Sequence, residues 1–392
     1  MAGGGPLGAI YEIGALVALD EVLRDFDLVD CGVYVGVSSG SFLAAGLANG
    51  LTPRAMHQMF IESEAADDPF EPELLMRPAL MEYARRLALL PQLLKSSAQD
   101  YLMSPRARSL VESYWQLAHA LPTGIFDNSG IAEYLTDLFS ARGRTNDFRK
   151  LRHKLFLVAT DLDSAEAVPF GAPGWDDVPI AQAVLASAAL PGLFPPVEIG
   201  GRHYVDGALV KTLHASVALR EGAKLLLCIN PLVPFNADAA AQHKHGRRVS
   251  LVEGGLPTVL SQTFRAIIHS RMQTGMARYG HEFPDADVVL FEPRPDDAEM
   301  FFANVFNYSE RKRLAEHAYQ RTRAELRRRY AELQPIFSRH GVTIDEVALA
   351  DQTRTLATRD GATRRAASTG RLDHTLDRLE ALLRPRAEPA SG

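Results

Sequence analysis

Two cysteines in 392 residues, Cys31 and Cys228, exclude a disulfide framework. Both stand beside apolar, strand-like runs and read as small buried core residues of a reducing compartment. Long apolar runs are also missing. No stretch approaches the roughly eighteen residues needed to cross a membrane, and no basic segment followed by an apolar one opens the chain. Positive charge is not in excess either. The formal net charge is -6, whereas a general nucleic-acid binder carries a strongly basic surface, so no nucleic-acid partner is expected. The expected location is the cytoplasm, with peripheral contact to a membrane as an option.

What the chain does have is 46% hydrophobic content, enough for one large α/β domain with additions or for two modest domains. It also has 29 glycines, two groups of which fall where chemistry would need them. In Gly36-Val37-Ser38-Ser39-Gly40 a serine follows the apolar run Val33-Tyr34-Val35 and precedes a small-residue helical run. A strand that turns sharply into a helix forces its corner residue into a strained conformation, and glycines two positions either side remove the side chains that would clash. This is the pattern of a nucleophile elbow. An ordinary strand-to-helix turn capped by Ser38, Ser39 or Ser41 would have the same sequence.

The second group, Gly3-Gly4-Gly5-Pro6-Leu7-Gly8, opens a run whose apolar positions Ile10, Ile13, Leu16, Val17, Leu19, Val22 and Leu23 recur at helical spacing. A dinucleotide-binding turn is one reading, with Asp27 or Asp30 as its acidic partner. An oxyanion cradle of backbone N–H groups is the other, and a nucleophile nearby favours it. A third feature is Asp206 in Tyr204-Val205-Asp206-Gly207-Ala208, held between a strand and a glycine. There it can accept a serine's proton, although an Asp-Gly pair is also a common turn.

With these residues in place the chain resembles the patatin-like phospholipases, serine lipid acyl hydrolases that use a Ser-Asp dyad and no histidine. Four blocks follow the family's order: the glycine loop from Gly3 to Gly8, the elbow around Ser38, the block Ala186-Ser187-Ala188-Ala189-Leu190-Pro191-Gly192-Leu193-Phe194-Pro195-Pro196, and Asp206-Gly207-Ala208. Thr160-Asp161-Leu162 and Asn230-Pro231 add to the likeness, which covers residues 3 to about 232. The resemblance implies Ser38 as nucleophile and Asp206 as its base. It implies an oxyanion hole at Gly3, Gly4, Gly5 and Gly8, with Gly36, Gly40 and Gly207 supporting the motifs. The substrate it implies is a lipid or other fatty ester, cleaved through an acyl-enzyme with no metal and no organic cofactor. A base without histidine works if Asp206 is partly desolvated, because burial raises a carboxylate's pKa.

The sequence departs from the family in two places. The cation usual before the last glycine of the loop is replaced by Leu7, which weakens a phosphate-bearing substrate relative to a neutral ester. Only Met1 and Ala2 stand where the family has a strand, so the loop is expected to lack its anchor and an N-terminal segment to be missing. Other functions are a non-catalytic lipid-binding or scaffold protein on the same fold, and a conventional Ser-His-Asp hydrolase. For the latter, His203 lies nearest to Asp206 in sequence, but strand alternation turns the two to opposite faces.

Short apolar strands at 33–35, 153–160, 196–199, 203–205, 224–230 and 287–291 alternate with helical stretches, which predicts an α/β fold with a mostly parallel central sheet flanked by helices. The expected organisation is a catalytic core over 1–235 containing a helical insert at 51–150, its helical completion over 236–345, and a linker with a short helix over 346–392. Residues 74–90 read as a core-packed helix, or as a lid or interfacial helix. Two long helices are expected at 256–279 and 308–339. The arginines at 321–329 suit a solvated face or, alternatively, a contact for anionic headgroups.

Overall fold

The computed structural model describes residues 1–62, 77–79, 83–84, 88, 122–211, 213–244, 250–303 and 310–356. Most of the predicted 74–90 helix, much of the 51–150 insert and the tail from residue 357 lie outside them. The first half comprises α1 (Gly5–Val22), β1 (Leu23–Arg24), β2 (Val33–Val37), α2 (Ser39–Ala48), α3 (Pro53–Met56), α4 (Ser129–Ser140), β3 (Lys154–Asp161), β4 (Ala167–Phe170) and α5 (Ile180–Ala188). There follow β5 (Val197–Ile199), β6 (Arg202–Asp206), α6 (Ala215–Arg220), β7 (Leu225–Ile229), α7 (Ala237–Lys244), α8 (Gly255–Glu282) and β8 (Asp287–Phe291). The last elements are α9 (Ala298–Phe301), α10 (Arg311–Arg328), α11 (Tyr330–Arg339), β9 (Thr343–Ile344) and α12 (Glu346–Ala350).

All six predicted strands are present, but the five-stranded sheet of β2 to β6 is mixed rather than mostly parallel, and β7 and β8 form a separate two-stranded sheet. β2 runs parallel to β3 and β7 parallel to β8, while β4 and β6 pair antiparallel with β3, and β5 antiparallel with β6. The reason is local. β5 and β6 are joined by Gly200 and Gly201, both at positive φ, and so short a link can make only a hairpin. Periodicity marks a strand without showing its direction.

The register around β3 places the rest. β4 pairs with Leu157, Val158, Ala159 and Thr160; β2 also pairs with Leu157 and Val158, and β6 with Ala159 and Thr160. Each strand edge accepts one neighbour per residue. β2 and β6 therefore share the edge of β3 opposite β4, in tandem, and their carboxyl ends meet between Val158 and Ala159.

Met1 and Ala2 do anchor the glycine loop, contrary to expectation. The Met1 ammonium donates to the Val35 carbonyl (2.8 Å), the Val37 amide donates to the Met1 carbonyl, and the Ala2 amide donates to the Ile229 carbonyl. Two residues thus bridge β2 to β7. Below them the strands flank a cleft of about 520 Å³ lined by Val33, Tyr34, Val35, Leu225, Leu227 and Ile229 among others.

α1 is buried nearly all round, as befits a central helix rather than an amphipathic surface one. Its small residues let α10 approach closely: a Cβ at Gly14 would lie 2.4 Å from the Ala315 carbonyl and 2.9 Å from the Ala318 side chain. The long helix expected at 308–339 is interrupted at Arg329, whose guanidinium donates to the Leu290 carbonyl and pairs with Glu332. Arg323, fully buried, donates to the carbonyls of Ala348 and Asp351, while Arg327 donates to the Leu349 carbonyl and Arg328 pairs with Glu325. These contacts serve the fold. They also carry the packed body past the expected boundary at 345, through the buried Leu349 and Leu356.

Gly14→Ala is expected to destabilise the protein by about 1–3 kcal/mol through overpacking at this crossing. Urea unfolding should show a lower midpoint with an unchanged slope; a midpoint equal to the parent's would mean that the two helices have room to spare.

Candidate active site

The tandem placement of β2 and β6 delivers one side chain from each to the same point. Ser38 follows β2 and Asp206 ends β6. The Ser38 hydroxyl donates to Asp206 Oδ2 at 2.6 Å, with both residues buried. Ser38 adopts φ 53 and ψ -128, the strained corner that the elbow pattern predicts. For a non-glycine residue such a conformation costs on the order of 1–3 kcal/mol. It persists because the surroundings hold it. The Ser38 amide donates to Ser187 Oγ (2.9 Å), and the Ser38 carbonyl accepts from Ser41 Oγ (2.5 Å) and the Ser41 amide (2.9 Å). Gly36 admits the turn: a Cβ there would meet the Gly40 carbonyl at 2.6 Å.

Asp206 is held as tightly. Oδ1 accepts from the Ala208 amide (2.8 Å), its own amide donates to the Ala189 carbonyl (3.0 Å), and Thr160 Oγ1 donates to its carbonyl (3.1 Å). Burial pushes its carboxyl up from 3.8 to about 6, against the hydrogen bonds from Ser38 and the Ala208 amide, which pull it down. Burial prevails because an isolated carboxylate loses more solvation than two donors return. Gly207 fits against the wall of β3, since a Cβ there would strike the Val158 carbonyl at 2.1 Å.

The glycine loop closes the third side. A Cβ at Gly3 would lie 2.8 Å from that of Ser38, so the loop backbone rests directly on the elbow. Gly4 precedes the first turn of α1, which no side chain caps and which carries no acidic residue. Gly5 takes φ +60, and a Cβ at Gly4 or Gly8 would run into Pro231; the Asn230-Pro231 pair thereby backs the loop. Gly40 packs on the Ala2 carbonyl. An uncapped helix N-terminus carries about half a positive charge, here beside a serine hydroxyl. Leu7 turns into the main core, so apolar packing explains that position.

The block from Ala186 to Pro196 had no chemistry derivable from sequence. Its role is structural: Ser187 Oγ links the Ser38 amide to the Val158 carbonyl, to which it donates at 2.6 Å, and the Ala189 carbonyl holds the Asp206 amide. One segment therefore fixes both partners. In the sequence only its likeness to the family's third block marked it. Asp161 is likewise structural. Burial raises its pKa, but the Asp163 and Ser164 amides and Arg202 hold its carboxyl below the ordinary value.

Among the described residues no histidine hydrogen-bonds Ser38 or Asp206. His203 is exposed on the strand, and His214, pushed down to about 4 by burial and then by Lys211, hydrogen-bonds the backbone. No group of three or more potential metal ligands occurs among the described residues.

A family model described as patatin-like phospholipase matches residues 1–219. No curated protein matches the chain. Among solved structures it is similar to VipD from Legionella pneumophila, with 15% identity and a TM-score of 0.32 over 99% of this chain and 87% of that one. A score so low says nothing about chemistry.

Because Asp206 holds its proton more tightly folded than unfolded, it costs stability progressively as pH rises from its unfolded value of 3.8 to about 6. Asp206→Asn removes that cost. Relative to the parent, the variant's unfolding free energy should rise by about 3 kcal/mol between roughly pH 3.5 and pH 7 and then level off. A difference that does not change with pH in urea titrations would refute the raised pKa.

Proposed function

The chain belongs to the patatin-like phospholipase family, whose model covers more than half of it, and from that premise we propose that it hydrolyses fatty-acyl esters of lipids with Ser38 as nucleophile and Asp206 as base. The observation that carries the reading is the 2.6 Å hydrogen bond between their side chains. In the resting state Asp206 accepts the serine proton's hydrogen bond. As Ser38 Oγ attacks the ester carbonyl, the proton passes to Asp206, and a tetrahedral oxyanion forms. In this reading the oxyanion is received by amides of the glycine loop, for which the resemblance implies Gly4 and Gly5, at the uncapped end of α1, where preorganised N–H groups stabilise it without reorganisation.

Collapse of that intermediate expels the alcohol, which takes the proton from Asp206, and leaves the acyl group on Ser38. Water, deprotonated by the same carboxylate, then attacks the acyl carbonyl, and the fatty acid leaves as Ser38 Oγ takes the proton back from Asp206. A carboxylate with a pKa near 6 serves both halves, being mostly ionised at neutral pH yet basic enough to accept a proton.

Ser38→Ala should abolish ester turnover and labelling by a fluorophosphonate probe while leaving the far-UV spectrum intact. Asp206→Asn should lower kcat by roughly 10³-fold or more, because base and nucleophile act as a unit. For the parent, kcat/KM should rise with pH through about 6 and stay flat above it. Absence of labelling at Ser38 in folded protein would instead indicate a lipid-binding protein without catalysis.

A further inference from the structure

Helix α8 is 28 residues long, yet Met272 and Tyr279 are its only buried residues. Its outward side is apolar. Of the twelve large hydrophobic residues that the described chain leaves exposed, six are Val252, Leu256, Val259, Leu260, Phe264 and Ile267, in α8 and the turn leading into it. Exposure ranges from 39% at Val259 to 75% at Val252. Soluble proteins scatter such residues singly, and a cluster of them marks a contact surface.

The pattern continues into charge. At 3.6 residues per turn, Leu256, Leu260, Ile267, Arg271 and Arg278 fall within about 60° of one another around the helix, with Phe264 beside them. The first half of this line is apolar and the second half cationic. No Asp or Glu occurs between Gly255 and His281; the first is Glu282, which pairs with Arg278. Arg265, on the opposite side, turns inward to the Val233 carbonyl and lies over the Phe301 ring. Arg271 donates to the Leu209 carbonyl, three residues beyond Asp206. The middle of the helix is thereby tied to the segment that carries the candidate base.

We propose that the outward face of α8 docks the protein on the surface of a bilayer containing anionic lipid. Leu256, Leu260, Phe264 and Ile267 enter the boundary between headgroups and acyl chains, and Arg271 and Arg278 meet lipid phosphates. The identity of the partner rests on the lipid-hydrolase reading, and the tie through Leu209 would bring the reacting serine close to the surface that holds its substrate. An apolar stripe ending in arginines matches the layered chemistry of an interface. A second copy of the chain matches it poorly. Paired in parallel, the faces would set arginine against arginine; paired antiparallel, they would set arginine against leucine. No carboxylate on the face within Gly255–His281 would receive either.

The test is co-sedimentation of the full chain with vesicles of phosphatidylcholine alone and of phosphatidylcholine mixed with phosphatidylglycerol, together with turnover of a water-soluble short-chain ester. The parent and Ser38→Ala should both pellet with the mixed vesicles, more weakly at high salt. The double variant Leu260→Glu/Ile267→Glu should lose vesicle binding by about tenfold or more and keep soluble-ester turnover. Arg278→Gln should reduce binding to mixed vesicles while leaving the weaker binding to phosphatidylcholine alone. Binding unchanged in the double variant would overturn the proposal, as would a parent dimer in solution that the double variant dissolves. Lack of ester turnover by a parent whose vesicle binding depends on Leu260 and Ile267 would sink the catalytic reading and leave the docking surface standing.

Discussion

Everything at the candidate site depends on two strands sharing one edge of β3. β2 pairs with it through Val158 and β6 pairs with it from Ala159 onward. Had they lain on opposite edges, their backbones would be separated by two inter-strand spacings of nearly 5 Å each, too far for a hydroxyl and a carboxylate to touch. Because they abut end to end, Ser38 and Asp206 meet although 168 positions separate them in sequence. β4 enforces this by occupying the other edge. The short Gly200–Gly201 hairpin sets the direction of β6, so that its carboxyl end and not its amino end arrives at the junction.

A junction of two strand ends leaves backbone groups that no ladder can satisfy, and buried ones are costly. The segment after α5 resolves this. The Ser187 hydroxyl accepts from the Ser38 amide and donates to the Val158 carbonyl, while the Ala189 carbonyl accepts from the Asp206 amide. The same contacts that complete the hydrogen bonding hold Ser38 at its strained corner and keep water from Asp206. Strain at the serine and a raised pKa at the aspartate both oppose folding, and the packing of α1 against α10 and the sheet offsets them. A proposed acyl-enzyme mechanism draws on both, since an exposed hydroxyl on a relaxed turn beside an ordinary carboxylate would have neither direction nor basicity.

α8 lies outside this economy of burial. It contributes two fully buried residues, with Met276 packed beside them, and is fastened through Arg265 and Arg271 to the strand-end loops at Val233 and Leu209. A helix that adds so little to the core, yet is pinned to the segment behind the candidate base, is placed to connect the site with whatever lies beyond the protein.

The sequence alone determined the local features. Glycines at 36 and 40 around Ser38, the glycine loop ahead of a helix, and apolar runs of strand length are consequences of steric limits within a few residues, and each appeared where it was read. Family resemblance supplied the pairing of Ser38 with Asp206, which no spacing could reveal. Only the tertiary structure decided the rest. Strand direction depends on which edges meet, so the sheet proved mixed; the block from Ala186 to Pro196 acquires a role only once Ser187 and Ala189 lie beside two distant strand ends; and the anchoring of Gly3 by Met1 and Ala2 requires β2 and β7 on either side. Hydrogen-bond partners far apart in the chain are selected by register and burial, and these belong to the folded assembly rather than to any window of residues.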